Sequence, residues 1–271
     1  DTERDYLTCD ENGFAQSKDL PYGVYTVHQV SGWEGRERMR DFDVFVRADG
    51  ETYHYLINNA NFRSFLKVVK VDAETGKAIP YAGAGFQICR PDGSLVSMTF
   101  TYPEVTTIDT FYTNEEGFFI TPEKLEYGKG YTLKEVSAPY GYVLRAEGVS
   151  FDVTEDNSTE ENAGKIVEVK LGNYAQKGVI KISKSGEVFA SVTESDGIYQ
   201  PVYAVQGLPG AVYEIKAAED VYTRDGTLRY RAGEVVDTVT TGEDGPAESQ
   251  PLYLGCLLYT SPSPRDMRRS R

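Results

Sequence analysis

The stretch NNANFRSFLKVVKVD, Asn58 to Asp72, recurs further along the chain as GNYAQKGVIKISKSG, Gly172 to Gly186. In both copies an Asn stands eleven residues before a Lys, Asn59 before Lys70 and Asn173 before Lys184. Self-similarity of this kind marks a repeat array in which each copy is one structural unit. A second motif, a Gly turn followed by L-x-x-G, occurs three times: Gly13, Leu20 and Gly23; Gly117, Leu125 and Gly128; Gly245, Leu252 and Gly255. The strings AGAGFQI (Ala82 to Ile88) and LPGAVYEI (Leu208 to Ile215) form a third match. The repeats divide the chain into the back half of one module (1–62), a complete module (63–174) and the front part of a further module (175–255).

Twenty Tyr and twelve Phe, with Val, Ile and Thr throughout and frequent Gly and Pro breaks, favour strands over helices. Alternation predicts seven strands in the complete module, at 65–72, 84–90, 108–113, 117–121, 130–136, 149–154 and 164–172. Seven short strands in a module of this size predict a β-sandwich, so the expected fold is all-β, as tandem Ig-like modules. The stretch from Pro91 to Thr107 is expected as a loop or weakly patterned hairpin. The final residues, CLLYTSPSPRDMRRSR (256–271), contain four Arg and one Asp and lose the alternation, and are expected to be a non-native tail outside the fold.

With 42 acidic against 28 basic residues and a formal charge of -14, nucleic acid and anionic membranes are disfavoured as partners. Cys9, Cys89 and Cys256 are odd in number and widely spaced, which indicates neither a disulfide framework nor a metal site. No apolar run is long enough to span a membrane, and the first residues do not read as a signal peptide. No cofactor is expected. The acidic stretch TEDNSTEEN (Thr154 to Asn162) lacks the spacing of a calcium loop and reads as a solvated hairpin. His28 and His54 lie opposite the faces that carry Gln29 and Asn59, and no nucleophile motif accompanies them, so a turnover enzyme is not indicated.

Strand side chains alternate between faces. GVIKISK therefore sets Ile180, Ile182 and Lys184 on one face, and the aligned strand sets Leu66, Val68 and Lys70 together. GYTLKEV groups Tyr131, Leu133 and Glu135, while KIVEVKLGN groups Val167, Val169, Leu171 and Asn173. A Lys, a Glu and an Asn are thus expected in one core. Burial favours their neutral forms, and a neutral amine can attack an amide carbon while a carboxylic acid moves protons. The same trio also reads as a buried ion pair or hydrogen-bonded cluster without covalent chemistry.

At these residues the chain resembles the isopeptide-forming B-type repeats of Gram-positive surface adhesins and pilins, the Cna-B or SpaA-like modules with a prealbumin-like sandwich. The resemblance rests on KVDAETGK following from Lys70, on AGAGFQI, on the L-x-x-G-x-GY from Leu125 to Tyr131, and above all on EVSAPYGYVL from Glu135 to Leu144. It implies Lys70 as amine donor, Asn173 as acceptor and Glu135 as catalytic acid of a single-turnover crosslink. The third module carries only Lys184. In the first, Asn59 shares a face with Tyr53, Tyr55 and Ile57, but YTVHQVSG puts Gln29 where the family has Glu. The resemblance further implies a structural stalk segment, extracellular and anchored to the cell wall, with host extracellular matrix or other pilin subunits as partners. A competing reading is a ligand-binding adhesin module in which Trp33, Tyr140 and Tyr142 contact host protein or glycan.

Overall fold

The computed structural model describes residues 2–162, 164–255 and 257–260, and among these every regular element is a β-strand. The N-terminal module contributes an antiparallel ribbon of β1 (Gly23–Val27) and β2 (Phe42–Val46). The alternating residues 53–59 were expected to lie on a strand; they form none. In the central module the corresponding segment pairs with an opening strand, and the described residues contain no such strand for the first module.

The central module is a two-sheet sandwich built from β3 (Arg63–Asp72), β4 (Gly85–Cys89), β5 (Met98–Phe100), β6 (Thr106–Ile108), β7 (Phe111–Tyr112), β8 (Phe118–Ile120), β9 (Leu125–Glu126), β10 (Gly128–Ser137), β11 (Val149–Val153), β12 (Ser158–Glu161) and β13 (Gly164–Asn173). One sheet has the order β11-β10-β4-β7 and the other β12-β13-β3-β8, with β9 beside β3. The strand expected over 108–113 is divided into β6 and β7, and the weakly patterned stretch before it holds the β5–β6 hairpin. The acidic stretch is the β12–β13 hairpin.

The inward faces are those that alternation predicts. Leu66 and Val68 on β3, Phe86 and Ile88 on β4, Leu133 on β10 and Leu171 on β13 are all buried. Phe119 lies between Phe86 and Phe111, with ring centroids 5.6 and 5.7 Å away. Burying such side chains removes about 25 cal/mol of free energy per Å2 of apolar surface, the main term holding the sheets together. β3 and β13, the first and last strands, are parallel neighbours, with Lys70 opposite Leu171 and Asp72 opposite Asn173.

The C-terminal module contains β14 (Lys177–Gly178), β15 (Lys181–Ser183), β16 (Ser185–Ser195), β17 (Ile198–Gly207), β18 (Val212–Ala217), β19 (Val221–Tyr222), β20 (Leu228–Tyr230), β21 (Val235–Thr240), β22 (Pro246–Glu248), β23 (Leu252–Tyr253) and β24 (Leu257–Thr260). Ile182, Tyr213, Ile215, Val239 and Leu252 form its core. The expectation that strand structure stops at residue 255 is corrected here. β24 pairs antiparallel with β18, and Leu257 packs against the core, because Leu-Leu-Tyr-Thr has strong strand preference and a free sheet edge beside it. Cys256 and residues 261–271 lie outside the described residues.

The central and C-terminal modules meet through a polar joint. Arg229 Nη2 lies 2.9 Å from Asp72 Oδ2, and its Nη1 lies 3.0 Å from Glu74 Oε2. Tyr142 Oη donates to the same Asp72 oxygen at 2.9 Å, and burial together with that carboxylate raises the phenol pKa far above its usual range. Thr75 Oγ1 donates to Asp225 Oδ2 at 2.7 Å, and Lys177 pairs with Glu74 at 3.0 Å. Arg224 lies 5.2 Å from the ring centroids of both Tyr81 and Tyr140. Asp72 is fully buried and Arg229 nearly so, and removing one partner of a buried pair strands the other charge. Arg229→Ala should therefore cost roughly 3 kcal/mol, read as a lower urea midpoint for the C-terminal module, and Asp72→Asn with Arg229→Met should recover most of it. An unchanged midpoint in Arg229→Ala would show that the joint does not depend on this pair.

Candidate functional site

The parallel register of β3 and β13 puts Lys70 and Asn173 on one inward face, two register pairs apart along the ladder. β10 belongs to the opposite sheet, and its Glu135 points across the core towards them. The side chains of Lys70 and Glu135 are both 0% exposed. Lys70 Nζ lies 2.8 Å from Glu135 Oε1, donates to Leu171 O at 3.3 Å and donates to Asn173 Oδ1. Asn173 Nδ2 donates to Glu135 Oε1 at 3.0 Å and Oε2 at 2.8 Å. One carboxyl group thus bridges the amine nitrogen and the amide nitrogen.

Local features hold each member. β10 carries a bulge between Glu135, paired with Phe86, and Ser137, paired with Gly85, so the ladder is interrupted immediately after the carboxylate. The chain then returns along Tyr142 to Arg145 and covers the cluster. Val143 O accepts from Asn173 Nδ2 at 2.8 Å, and the Arg145 N–H donates to Glu135 Oε2 at 2.8 Å. Below Lys70, Gly117 O accepts the Lys70 N–H at 2.8 Å. Gly117 has φ +84°, and a Cβ there would fall 1.9 Å from Ile79 O, so only Gly allows this approach.

Burial lowers the pKa of Lys70 from 10.5 to about 8. The Glu135 contact opposes this shift and the Arg145 charge adds to it. The Phe86 ring, with its centroid 5.7 Å from Nζ, forms part of the apolar wall. Neutral amine is thereby far more accessible near neutral pH than on a solvated lysine, next to an amide carbon and a carboxyl group able to pass a proton between two nitrogens.

The other modules repeat parts of this arrangement. In the first, Asn59 Nδ2 donates to Gln29 Oε1 at 2.8 Å and to Glu37 O at 2.6 Å, and the Met39 N–H donates to Gln29 Oε1 at 2.9 Å. Gln29, Glu37 and Met39 have the spacing of Glu135, Val143 and Arg145, so the half-site is formed with an amide in place of the acid. In the third module the Lys184 N–H donates to Gly245 O at 2.8 Å, as Lys70 does to Gly117. Lys184 is half-buried beside the inward Ile182. Thr260 pairs with Glu214 as Lys134 pairs with Gln87, and the residue following Lys134 is Glu135 whereas the residue following Thr260 is Ser261.

Tyr142 is buried within the joint and is not a surface contact, whereas Trp33 and Tyr140 are exposed. His28 Nδ1 lies 2.7 Å from Asp41 on the exterior. Cys9 and Cys89 are free thiols. No helix among the described residues is long and apolar enough to cross a membrane.

The fold and cluster define tandem β-sandwich modules with a buried Lys-Glu-Asn site. Residues 64–166 match the family of SpaA prealbumin-like fold domains, and the central module is a domain of that type. Among solved structures the chain is similar to the Bacillus anthracis TIE protein, with 26% identity and a TM-score of 0.42 over 95% of this chain and 39% of that one. It is also similar to the group B streptococcus pilus 2b backbone protein, with 19% identity and a TM-score of 0.34 over 59% of this chain and 52% of that one. For BcpA, the major pilin subunit of Bacillus cereus, identity is 14% and the TM-score 0.34, over 74% of this chain and 88% of that one. The chain spans about two fifths of the TIE protein and half of the streptococcal one. No curated protein matches it.

The lowered pKa of Lys70 gives a pH test in Asn173→Ala, which keeps the amine and the acid but offers no carbon to attack. The folded value, about 8, lies below the unfolded 10.5, so the unfolded chain binds more protons between them and stability rises with pH across that window. Urea unfolding should show this rise relative to the triple variant Lys70→Met/Glu135→Gln/Asn173→Ala, in which neither group titrates. Parallel pH dependences would mean that Lys70 titrates in the fold as it does in water.

Proposed function

We propose that the chain is a segment of an extracellular structural stalk whose central module closes an amide bond between Lys70 and Asn173. The observation that carries this reading is the Glu135 carboxyl group bridging Lys70 Nζ and Asn173 Nδ2 in a site closed to water. Neutral Lys70 Nζ attacks Asn173 Cγ and forms the new C–N bond. Glu135 takes a proton from the attacking nitrogen and returns one to Nδ2, which leaves as ammonia when the old C–N bond breaks. The reaction runs once per molecule and needs no cofactor.

The bond closes a loop of 103 sequence positions. By the chain-entropy argument used for disulfides, a loop of this length adds about 4 to 5 kcal/mol. An amide resists both oxidants and reductants, which suits a chain exposed to proteases and a variable redox environment outside the cell. Stacked modules with short, polar joints make an extended stalk, and subunits of the same kind are its expected assembly partners. Attachment to a cell wall through residues beyond this segment belongs to the same proposal.

Intact mass spectrometry of the purified chain should give a value one ammonia below the sequence mass. Peptide mapping should place the loss at Lys70 and Asn173 and leave Asn59 unmodified, because no opening strand among the described residues brings a Lys to it, and Gln29 in place of the acid cannot readily shuttle protons near neutral pH. Glu135→Ala should restore the full mass and lower the thermal midpoint of the central module. Full mass in the unaltered chain would reduce the site to a buried polar trio.

A further inference from the structure

Between Lys184 and Tyr213 the C-terminal module carries 29 sequence positions where the central module has 16 between Lys70 and Phe86. The additional length is the hairpin β16–β17, whose strands pair only with each other among the described residues. A two-stranded ribbon without a covered face is marginal by itself, and an exposed apolar surface of this kind marks a contact site.

The two faces of the ribbon differ, and a bulge gathers its aromatic residues on one of them. Register pairs Glu187 with Val205 and Phe189 with Tyr203, then shifts at Ala190 and pairs Val192 with Pro201 and Glu194 with Tyr199. Without the extra residue, Ser191 and Thr193 would share a face with Phe189, and Val192 would turn away. With it, Val205, Phe189, Tyr203, Val192, Pro201 and Tyr199 line one face, which holds all three aromatic rings of the ribbon, while the other carries Val188, Ala204, Val202 and Ile198 among Ser191, Thr193 and Gln200. Phe189 and Tyr203 meet edge to face at 6.4 Å. Val205 is 70% exposed, Tyr199 69%, Phe189 57% and Tyr203 56%.

The charges choose the occupant. Glu187 and Glu194 stand at the two ends of this strip, roughly 23 Å apart for an extended strand, and Asp196 occupies the turn. No Lys or Arg stands between Lys184 and Lys216. Among the described residues no ion pair engages these three carboxylates. A second copy of this chain would bring the same acidic strip and be repelled. We propose that the β16–β17 ribbon is a docking surface for a polypeptide segment that combines apolar or aromatic residues with Lys or Arg at its ends. Pro201 lacks an N–H, so the outer edge of β17 is interrupted as a pairing template and the partner lies across the face.

A random dodecapeptide display library panned on the immobilised full chain tests this directly. Selected peptides should join apolar residues to Lys or Arg, and the best of them, synthesised, should bind at least tenfold more weakly to Phe189→Ser/Tyr199→Ser/Tyr203→Ser. Glu187→Lys/Glu194→Lys should shift selection towards Asp and Glu. Circular dichroism and the thermal midpoint of the central module, unchanged in both variants, show that the chain remains folded. The proposal is overturned by peptides that bind the serine variant equally well, by selection without basic residues, or by sedimentation showing the chain self-associating through this face.

Discussion

The parallel pairing of β3 with β13 is the constraint on which the rest of the central module depends. It places the beginning and end of a module side by side, and its register sets Lys70 two pairs away from Asn173 on a face that faces inward. A shift of one residue would turn either side chain to solvent and leave its partner buried alone. Glu135 comes from the other sheet, so the polar trio also ties the two layers of the sandwich together. Everything around it satisfies a remaining hydrogen-bonding group: Leu171 O for the amine, Val143 O for the amide, the Arg145 N–H for the carboxyl.

The three modules show the same frame carrying different chemical content. Gln29 and Asn59 reproduce the contacts of Glu135 and Asn173, down to the backbone groups that hold them, although an amide cannot do the work of an acid. Gly245 supports Lys184 as Gly117 supports Lys70. The scaffold therefore does not require the Lys-Glu-Asn trio, and the modules differ in side chains inside it and in the length of a connection outside it.

Much of this was legible in the sequence because it follows from alternation. Lys70, Glu135 and Asn173 each stand two residues from a large apolar side chain on a strand, and the repeat resolved the ambiguous run of Val residues around Lys70. Groups contributed by the backbone were not legible: Val143 O and the Arg145 N–H act through peptide atoms that any residue would supply. Nor was the Asp72–Arg229 pair, whose members are far apart in sequence and belong to different modules. Tyr142 reads as an aromatic available to a ligand, and only the position of Asp72 beneath it shows why its hydroxyl is needed inside. The strand at Leu257–Thr260 was hidden by the basic residues after it, which dominate the composition of that stretch. The bulge at Ala190 leaves no mark on composition, yet it decides which side chains of β16 share a face with Phe189 and Tyr203.

Because β3 and β13 run in the same direction, the chain enters the central module at one pole and leaves it at the other. Tension applied along the chain pulls β3 and β13 past each other in shear, so the hydrogen bonds of their eight register pairs share the load at once instead of opening one after another. Lys70 and Asn173 lie at the exit end of that ladder. Once joined, they would divert tension from Lys70 directly to Asn173, leaving the sheet between them slack and the module's length fixed.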